Sequence, residues 1–589
     1  MKYSDQFIDW LVDEGYTHCF FVAGGNIMHL LDSVRTRMTC IPFVNEIGAA
    51  IAAEYFTVAG SESNQKAFVL VTAGPGFTNT ITAIASAWTE SRELLVVGGQ
   101  VKSSDLANGE VRQRGIQEIN GIDIAGPITK GSIQISSPVS RKQILDLISA
   151  GSSGRKGPIF IEFTLDAQGA ETEVDCLETQ SNQLNSPRVL ASDLESVRKL
   201  LSASKRPIFL LGSGLTRDAL RNVSSKLGRL GIPIMLTWNG ADLLPSDYPL
   251  YMGRPNTWGQ RYSNVLIQQS DILIAVGTRL GIQQTGFAWD EFVPGGQIVH
   301  VDIDIAELDK THPKKALTIN SDANAFLSDL AEQLVSSPDW AEWLAFCNEV
   351  KGLLPLSEDS NKTAPGFVNP FDLMAEISEI SNDEDSIIPC SSGAAFTVAM
   401  QAFELKAGQR MVTNKGMASM GYGLSGSIGA AFANPSNNTY LFEGDGGFAQ
   451  NLQELGTVKA NALKLKMFVF SNRGYASIRM TQRNYFNGAW IGCDEETGLG
   501  LPSWKELANA YGIEFVDLSA DDIIRNSQLR YINDSAHPLF VLVPIDPEQT
   551  YFPKIASRVL ENGQMKSNPL HLMEPPLEEE LATKVIKYI

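Results

Sequence analysis

Two predicted strand ends in the last third of the chain carry residues that could bind a metal ion and a diphosphate. The apolar segment 440–442 leads into Glu-Gly-Asp-Gly-Gly-Phe around Asp445, and the apolar segment 466–470 ends in Ser-Asn-Arg-Gly around Asn472. Side-chain oxygens of Asp and Asn are hard ligands that suit Mg²⁺, and glycines let backbone N–H groups approach phosphate oxygens closely. The pattern predicts a metal-diphosphate site with Asp445, Asn472 and Gly474 as metal ligands. The residues assigned to bind the diphosphate-bearing group there are Gly444, Asp445, Gly446, Gly447, Asn472, Gly474 and Tyr475.

A lone Gly-Asp-Gly is weak evidence, because the same tripeptide forms ordinary hairpin turns. Residues 451–461, between the two strands, are predicted to form a helix whose N-terminus faces the diphosphate. A hairpin turn needs neither that helix nor a second oxygen ligand. The spacing therefore favours the metal site.

Bulk composition limits the classes of protein that the chain could be. Its 589 residues are 43% hydrophobic and 19% charged, which is typical of a soluble chain of about three domains. A formal charge of −20 disfavours nucleic acid and anionic lipid as partners, and no apolar run is long enough to cross a bilayer. The six cysteines show no CxxC spacing, and the first residues do not resemble a signal peptide. We expect a cytoplasmic enzyme that binds neither nucleic acid nor membrane.

Apolar strands alternate with helix-like segments along most of the chain, which predicts parallel sheets covered by helices. The expected strands are 19–22, 67–71, 94–97 and 159–163, then 208–211, 233–237, 272–276 and 297–301, and finally 387–389, 440–442, 466–470 and 539–544. The predicted fold class is α/β, with three doubly wound parallel-sheet domains and a C-terminal tail. The predicted domain boundaries are 1–165, 189–340 and 360–548, with a polar linker at 166–188 and the tail at 549–589.

The first and third units resemble the thiamine diphosphate (ThDP)-dependent 2-oxo acid decarboxylases and carboligases, most closely the acetolactate-synthase-like branch. The resemblance rests on the Asp445 and Asn472 motifs, on Val-Asn-Glu at 44–46 and on the segment 416–423. It implies a pyrimidine-binding first domain, a central domain and a diphosphate-binding third domain. It also implies ThDP and Mg²⁺ as cofactors, and a homodimer or homotetramer whose active sites lie between subunits.

Three residues take specific roles from this resemblance. Glu46 corresponds to the catalytic glutamate that exchanges a proton with the cofactor pyrimidine, although a glutamate at a helix start can also simply stabilise the helix dipole. Met420 matches the apolar residue between the two cofactor rings, and the plain alternative is a core methionine. Gly393 matches the residue whose carbonyl accepts from the aminopyrimidine. Asn45 stands where the family usually has His.

Further positions are assigned more weakly by the same resemblance. Gly24 and Gly25 would shape the substrate pocket, Pro75 and Asn79 would contact the cofactor, and Gln117 would bond oxygens of the substrate. Tight strand-to-helix turns or a solvated loop would use the same residue types.

The middle unit contains segments that resemble the flavin-binding segments of acetohydroxyacid synthases. The residues concerned are Arg279, Gly286 and Asp302. Arg279 would contact a pyrophosphate, and Asp302 would contact adenosine or act as a strand-end turn residue. The resemblance leaves FAD open as an additional cofactor.

Several residues differ from those common in the family, and these differences concern the binding of the second substrate. Ala394, Ala395 and Phe396 follow Gly393 where relatives commonly carry Gln and His or Trp, and Thr481 stands where Trp or Gln is frequent. These segments and the tail are similar to enzymes of surface-polysaccharide pathways, some of which act on a keto-sugar nucleotide. No His-His pair occurs, which disfavours aldehyde release.

The expected reaction is decarboxylation of pyruvate or a related 2-oxo acid, with transfer of an acyl-anion equivalent to a carbonyl acceptor such as a keto-sugar nucleotide. Three alternatives stay open: an acetolactate synthase proper, a simple 2-oxo acid decarboxylase, and a noncatalytic ThDP-binding protein.

Overall fold

A computed structural model of the chain describes residues 1–172, 186–334, 339–559 and 565–589. The N-terminal sheet is fully parallel, with strand order β2-β1-β3-β4-β6-β5. Its strands are β1 Tyr16–Phe21, β2 Thr39–Pro42, β3 Lys66–Val71, β4 Leu94–Gln100, β5 Gly131–Ile135 and β6 Pro158–Thr164. Its helices are α1 Tyr3–Asp13, α2 Met28–Val34, α3 Glu46–Ala59, α4 Pro75–Thr78, α5 Ile81–Glu90, α6 Gly121–Ala125, α7 Arg141–Ser152 and α8 Leu165–Gly169.

The central sheet is also parallel and has five strands in the order β11-β10-β9-β7-β8. Its strands are β7 Pro207–Leu211, β8 Ile234–Leu236, β9 Ile272–Val276, β10 Gln297–Asp302 and β11 Leu317–Asn320. The helices around it are α9 Ala191–Ala203, α10 Arg217–Leu230, α11 Arg261–Gln268, α12 Ile282–Thr285, α13 Ile305–Asp309, α14 Ala323–Gln333 and α15 Ala341–Leu353.

The third sheet repeats the parallel architecture, with strand order β13-β12-β14-β15-β17-β16. Its strands are β12 Ser386–Pro389, β13 Arg410–Met411, β14 Thr439–Gly444, β15 Leu465–Ser471, β16 Glu514–Asp517 and β17 Leu539–Pro544. Its helices are α16 Pro370–Ile380, α17 Gly393–Ala402, α18 Tyr422–Ala433, α19 Asp445–Phe448, α20 Leu455–Ala460, α21 Ala476–Phe486, α22 Trp504–Ala510 and α23 Asp522–Asp534.

The predicted fold class, three parallel α/β sheets with covering helices, is confirmed. Among the described helices, none combines the length and apolarity that crossing a bilayer requires.

The C-terminal tail packs on the central domain. Its elements are β18 Lys554–Ile555, β19 Ser557–Val559, β20 Met565–Ser567, β21 Met573–Glu574 and α24 Glu579–Val585. The side chains of Leu570 and Val585 are fully buried in the same apolar cluster as Leu273 of β9. Gln269 donates to the carbonyl of Val585 at 2.9 Å, which ties the last helix to the central domain.

The first and third domains meet through α3 and α18, which pack against each other. Gly429 of α18 lies so close to the backbone of Ala52 that an added Cβ would stand 2.1 Å from its carbonyl oxygen. The fully buried Glu54 accepts from Arg92 at 2.8 Å and from the hydroxyl of Tyr422 at 2.6 Å. This paired, hydrogen-bonded carboxylate joins the two domains within one chain.

Two local predictions differ from the structure. The helical segment expected at 451–461 is present but starts as a 3₁₀ turn at Leu452–Glu454 before α20, and a separate short helix, α19, starts at Asp445 itself. The polar linker expected at 166–188 begins with a helix, α8, because Gln168 turns inward and donates to the carbonyl of Asn26 at 2.7 Å. Linker residues 173–185 lie outside the described residues.

Candidate functional site

Asp445 and Asn472 are brought together at the carboxyl ends of the adjacent strands β14 and β15. The Asp445 carboxylate is 1% exposed and accepts the backbone N–H groups of Gly446 at 2.7 Å, Asn472 at 3.1 Å and Gly474 at 3.2 Å. Burial raises the pKa of Asp445 to about 6, while the backbone donors oppose the shift. A cation beside this carboxylate would favour its charged form.

The side-chain oxygen of Asn472 is buried and has no hydrogen-bond partner within the described residues. Buried amide oxygens are normally hydrogen-bonded, so an unpartnered one indicates a position where a ligand could bind. Mg²⁺ is commonly held by one or two carboxylates together with substrate phosphates. No group of three or more His, Cys, Asp or Glu side chains able to hold a metal occurs in the described part of the chain, so the site would depend on this carboxylate-amide pair.

At two positions of the motif neighbouring groups lie so close that only glycine fits. A Cβ on Gly446 would stand 2.4 Å from the ring of Tyr475. Gly474 has φ +121° and a Cβ there would meet the carbonyl oxygen of Cys493 at 2.3 Å. Gly444 ends β14 and Gly447 lies within α19, so the predicted motif forms one compact turn from strand to helix.

Met420 and Gly393 lie on segments beside this turn. Met420 is 42% exposed, and the side-chain amide of Gln450 lies 3.6 Å from its sulfur. The following residue, Gly421, accepts from the side chain of Asn451 at 2.7 Å, which fixes the Met420 segment to the Asp445 loop. Gly393 is the first residue of α17. The Met420 side chain is flexible, apolar and exposed beside the glycine-rich Asp445 turn, so it is suited to contact the ring of a bound ligand.

The predicted catalytic carboxylate lies at the start of α3 in the N-terminal domain. Glu46 is half-buried, and its Oε2 accepts from the side chain of Asn79 at 2.9 Å. Asn45 caps the helix by accepting from the backbone of Ile47 at 3.1 Å. Glu454 of the third domain accepts the backbone N–H of Asn45 at 3.0 Å, so the position of this loop depends on both domains.

The other predicted residues of the first domain lie around the ends of β1 and β3. Gln117 has φ +64°, and its carbonyl oxygen packs against Gly74. Gly74 directly precedes Pro75, the first residue of α4. A Cβ on Gly24 would stand 2.4 Å from the side chain of Thr72, whereas nothing lies within 4 Å of one on Gly25.

The predicted residues thus form two groups on one chain. One group belongs to the first domain and consists of Gly24, Gly25, Glu46, Pro75, Asn79 and Gln117. The other belongs to the third domain and consists of Gly393, Met420, Gly444, Asp445, Gly446, Gly447, Asn472, Gly474 and Tyr475. No hydrogen bond between side chains joins the two groups within the described residues.

A cavity of about 470 Å³ opens beside the second group. Its wall includes Gly393, Ala394, Phe396 and Thr481 of the third domain. Other residues of the third domain, together with residues of the central domain and the tail, supply the rest of the wall, and no residue of the first domain lines it. In a single chain the cavity therefore lacks the Glu46 group.

The three flavin-related residues lie at or after the carboxyl ends of β9 and β10, where doubly wound sheets bind ligands. All three residues nevertheless already contact other parts of the chain. Arg279 donates to the carbonyl of Thr89 at 2.7 Å, Asp302 accepts from the backbone of Asp304 at 2.9 Å, and Leu570 of the tail packs against Gly286. These contacts do not form a fitted flavin site.

Sequence reasoning overlooked several residues near the site. Glu443 is buried next to the Asp445 turn, accepts from the backbone of Leu424 at 3.2 Å, and has its pKa raised by burial to about 8. An acidic residue inside the apolar strand β14 was the available signal. Lys415 and Lys554, which line the cavity, belong to segments whose pattern gave no signal.

Comparison with known proteins agrees with this geometry. Three domain profiles of thiamine pyrophosphate enzymes match the chain: the N-terminal TPP binding domain at residues 1–124, the central domain at 194–330 and the C-terminal TPP binding domain at 391–543. Together they cover more than half of it, with the Glu46 group in the first match and the Asp445 group in the third. The chain belongs to the thiamine diphosphate-dependent enzymes, in their acetolactate-synthase-like branch.

Curated relatives support the same branch. The chain is 27% identical over 553 residues to acetolactate synthase isozyme 1 large subunit of Escherichia coli (strain K12), covering 93% of this chain and 94% of that protein. It is 28% identical to a probable acetolactate synthase large subunit of Methanocaldococcus jannaschii, covering 93% of each chain. It is 26% identical to the acetolactate synthase large subunit of Lactococcus lactis subsp. lactis, covering 94% of each chain.

Proposed function

We propose that the protein is a ThDP- and Mg²⁺-dependent carboligase that decarboxylates pyruvate or a related 2-oxo acid and transfers the acyl-anion equivalent to a carbonyl acceptor, for which a keto-sugar nucleotide is our preferred class. The observation that carries the metal part of the proposal is the buried pair formed by Asp445 and the unpartnered amide oxygen of Asn472.

The residues around this pair fit the diphosphate of the cofactor and its metal. Asp445, Asn472 and the carbonyl of Gly474 would hold Mg²⁺, and the glycine-rich turn would present backbone N–H groups to phosphate oxygens. Met420 and Gly393 would contact the rings. When bound, ThDP supplies a nucleophilic carbon and an electron-accepting ring for removal of CO₂ from a 2-oxo acid.

Glu46 would hold a proton at its carboxyl group and exchange it with a ring nitrogen of the cofactor. Asn79 donates to Oε2 of Glu46 at 2.9 Å, which leaves the other carboxyl oxygen for that exchange. In this arrangement Asn79 acts as a positioning residue. Gln117, beside Pro75, would bond oxygens of the substrate, and Gly24 and Gly25 would line its pocket.

We propose that two subunits complete each active site, the Glu46 group coming from one and the Asp445 group from the other. Apolar side chains next to both groups are exposed in the single chain, among them Ile116 at 86%, Val44 at 59% and Met417 at 44%. An interface that buries them would stabilise a homodimer or a homotetramer.

Mixing two inactive variants tests this arrangement. We expect Glu46→Gln and Asp445→Ala to be inactive alone, whereas purified mixed dimers should recover about half of wild-type activity, because each keeps one of its two sites intact. The measurement is CO₂ release from pyruvate by tagged, purified hetero-oligomers. Two Asp445→Ala chains carrying the two different tags are the matched control. No recovery in verified mixed oligomers would place both groups of a site on one subunit.

An acetolactate synthase proper is the second candidate, because the relatives compared above carry that name. Incubation with pyruvate alone distinguishes the two. A carboligase with another acceptor should form little acetolactate, measured by colour after acid conversion to acetoin, and should turn over faster when its acceptor is added. Rapid acetolactate formation from pyruvate alone would favour the second candidate, and free acetaldehyde would indicate a simple decarboxylase.

FAD and the cytoplasmic location stay predictions. The contacts of Arg279, Gly286 and Asp302 give FAD no direct support, and we derive no step through a flavin. An absorbance spectrum of the small molecules released from the purified protein between about 350 and 500 nm checks for it directly, since oxidised flavins absorb there.

A further inference from the structure

The cavity beside the Asp445 group carries two lysine ammonium groups that no carboxylate contacts directly, Glu90 and Glu574 acting on them only at longer range. Among the described residues, no carboxylate oxygen lies within 4.0 Å of the Nζ of Lys415 or of Lys554. Lys415 lies 5.9 Å from the ring centre of Trp238, and Lys554 lies 5.7 Å from that of Trp258. Burial lowers the pKa of Lys415 to about 8 even though Glu90 opposes the shift, as expected for an ammonium group without a bonded counter-ion.

The other charged groups of the wall are satisfied. Arg479 donates to the carbonyls of Asn472 and Arg473, and Arg483 forms an ion pair with Glu548 at 2.7 Å. The charge available to a ligand in this cavity is therefore positive, in a chain whose formal charge is −20. A local positive field inside an acidic molecule attracts small anions selectively.

Two further residues of the wall carry buried hydrogen-bond donors that have no partner in the described part of the chain. They are the indole N–H of Trp238 and the amide Nδ2 of Asn256. Buried donors are normally satisfied by protein, water or ligand. Ammonium groups without a bonded carboxylate, together with unpartnered amide and indole donors, favour a ligand rich in acceptor oxygens, and the partly exposed indole ring of Trp258 provides a flat surface that a ring could contact.

We propose that Lys415 and Lys554 bind the phosphate groups of the acceptor, and that the acceptor is a nucleoside-diphosphate compound whose ring contacts Trp258. The inference rests on the proposed function, because only a carboligase needs a second substrate in this cavity. Lys554 belongs to the tail, beyond the last residue matched by the C-terminal domain profile.

Binding to the holoenzyme tests the proposal without a known acceptor. The protein is saturated with ThDP and Mg²⁺, then titrated with uridine, thymidine, cytidine, guanosine and adenosine diphosphates, and in parallel with the matching nucleosides, by calorimetry. We expect at least one diphosphate to bind and its nucleoside to bind at least about tenfold more weakly. Lys415→Met and Lys554→Met should each weaken that diphosphate about 10- to 100-fold, and Lys415→Arg and Lys554→Arg should retain most of the affinity.

Controls distinguish acceptor binding from cofactor binding and from a nonspecific effect of removing a positive charge. Lys505→Met changes an exposed lysine outside the cavity and should leave binding unchanged. If Lys415→Met or Lys554→Met instead raises the ThDP concentration needed for half-maximal CO₂ release, the lysines hold the cofactor and the proposal is overturned. Absence of binding by all five diphosphates at about 10 mM, or binding that ignores both lysine variants, also overturns it. CO₂ release from pyruvate without nucleotide reports on the proposed function separately.

Discussion

Asp445→Ala is expected to abolish metal-dependent retention of ThDP and all decarboxylation of 2-oxo acids. The carboxylate is the charged ligand that the strand ends of β14 and β15 offer to a cation, and an alanine leaves the Asn472 oxygen without a partner ligand. Removal of a direct metal ligand should raise the Mg²⁺ concentration for half-maximal activity by more than about 100-fold, since even indirect ligand contacts change metal affinity by about 10- to 100-fold.

The backbone donors around Asp445 require a second variant. Alanine also leaves the N–H groups of Gly446, Asn472 and Gly474 unsatisfied, so lost activity could reflect a disordered turn. Asp445→Asn keeps an acceptor oxygen in the same volume and should preserve the fold by circular dichroism while losing metal affinity. Asp517→Ala, at the exposed end of β16 in the same sheet, is the matched control. Normal ThDP retention by a folded Asp445→Asn protein would mean that the metal ligand is wrongly assigned.

Glu46→Gln is expected to bind ThDP normally and to lose turnover by about 10²- to 10⁴-fold, the usual contribution of a positioned proton-transfer group. The amide oxygen of glutamine can still accept from Asn79, so the local structure should persist. The measurements are ThDP affinity by calorimetry and CO₂ release from pyruvate at saturating cofactor.

The alternative role of Glu46, stabilisation of the helix dipole of α3, makes a different prediction. In that case Glu46→Gln should lower the free energy of unfolding by about 0.3–1 kcal/mol and leave turnover intact. Glu342→Gln, in the first turn of α15, provides a matched control for the dipole effect away from the site. Equal and small effects of the two variants on turnover would exclude proton transfer by Glu46.

Much of the fold was predictable from the sequence because its central strands are continuous apolar runs. Strands 272–276 and 539–544 were predicted to the residue, and most others to within a few residues. Within the three parallel sheets, the strands that were missed all lie at the edges, where they are short and partly exposed and lack a strong apolar pattern. They are β2, β5, β11, β13 and β16.

Residues of the candidate site could be predicted where a short motif points to one chemical role. They could not be predicted where the position of a residue depends on tertiary packing. The Gly-Asp-Gly-Gly turn and the second strand end identify Asp445 and Asn472 from local spacing alone. The link from Glu454 to the Asn45 loop, and the placement of Lys554 beside Trp258, join segments distant along the chain. No local pattern encodes such pairs, because their contact depends on how whole domains pack.

The docking of the tail on the central domain also bears on how the chain is made. Leu570 and Val585, which are synthesised long after Leu273, complete the apolar core around that residue. Domains usually fold in order as they are synthesised, N-terminal first. We therefore expect part of the core of the central domain to stay uncovered, and accessible to chaperones, until the tail segment that contains Leu570 and Val585 has been synthesised.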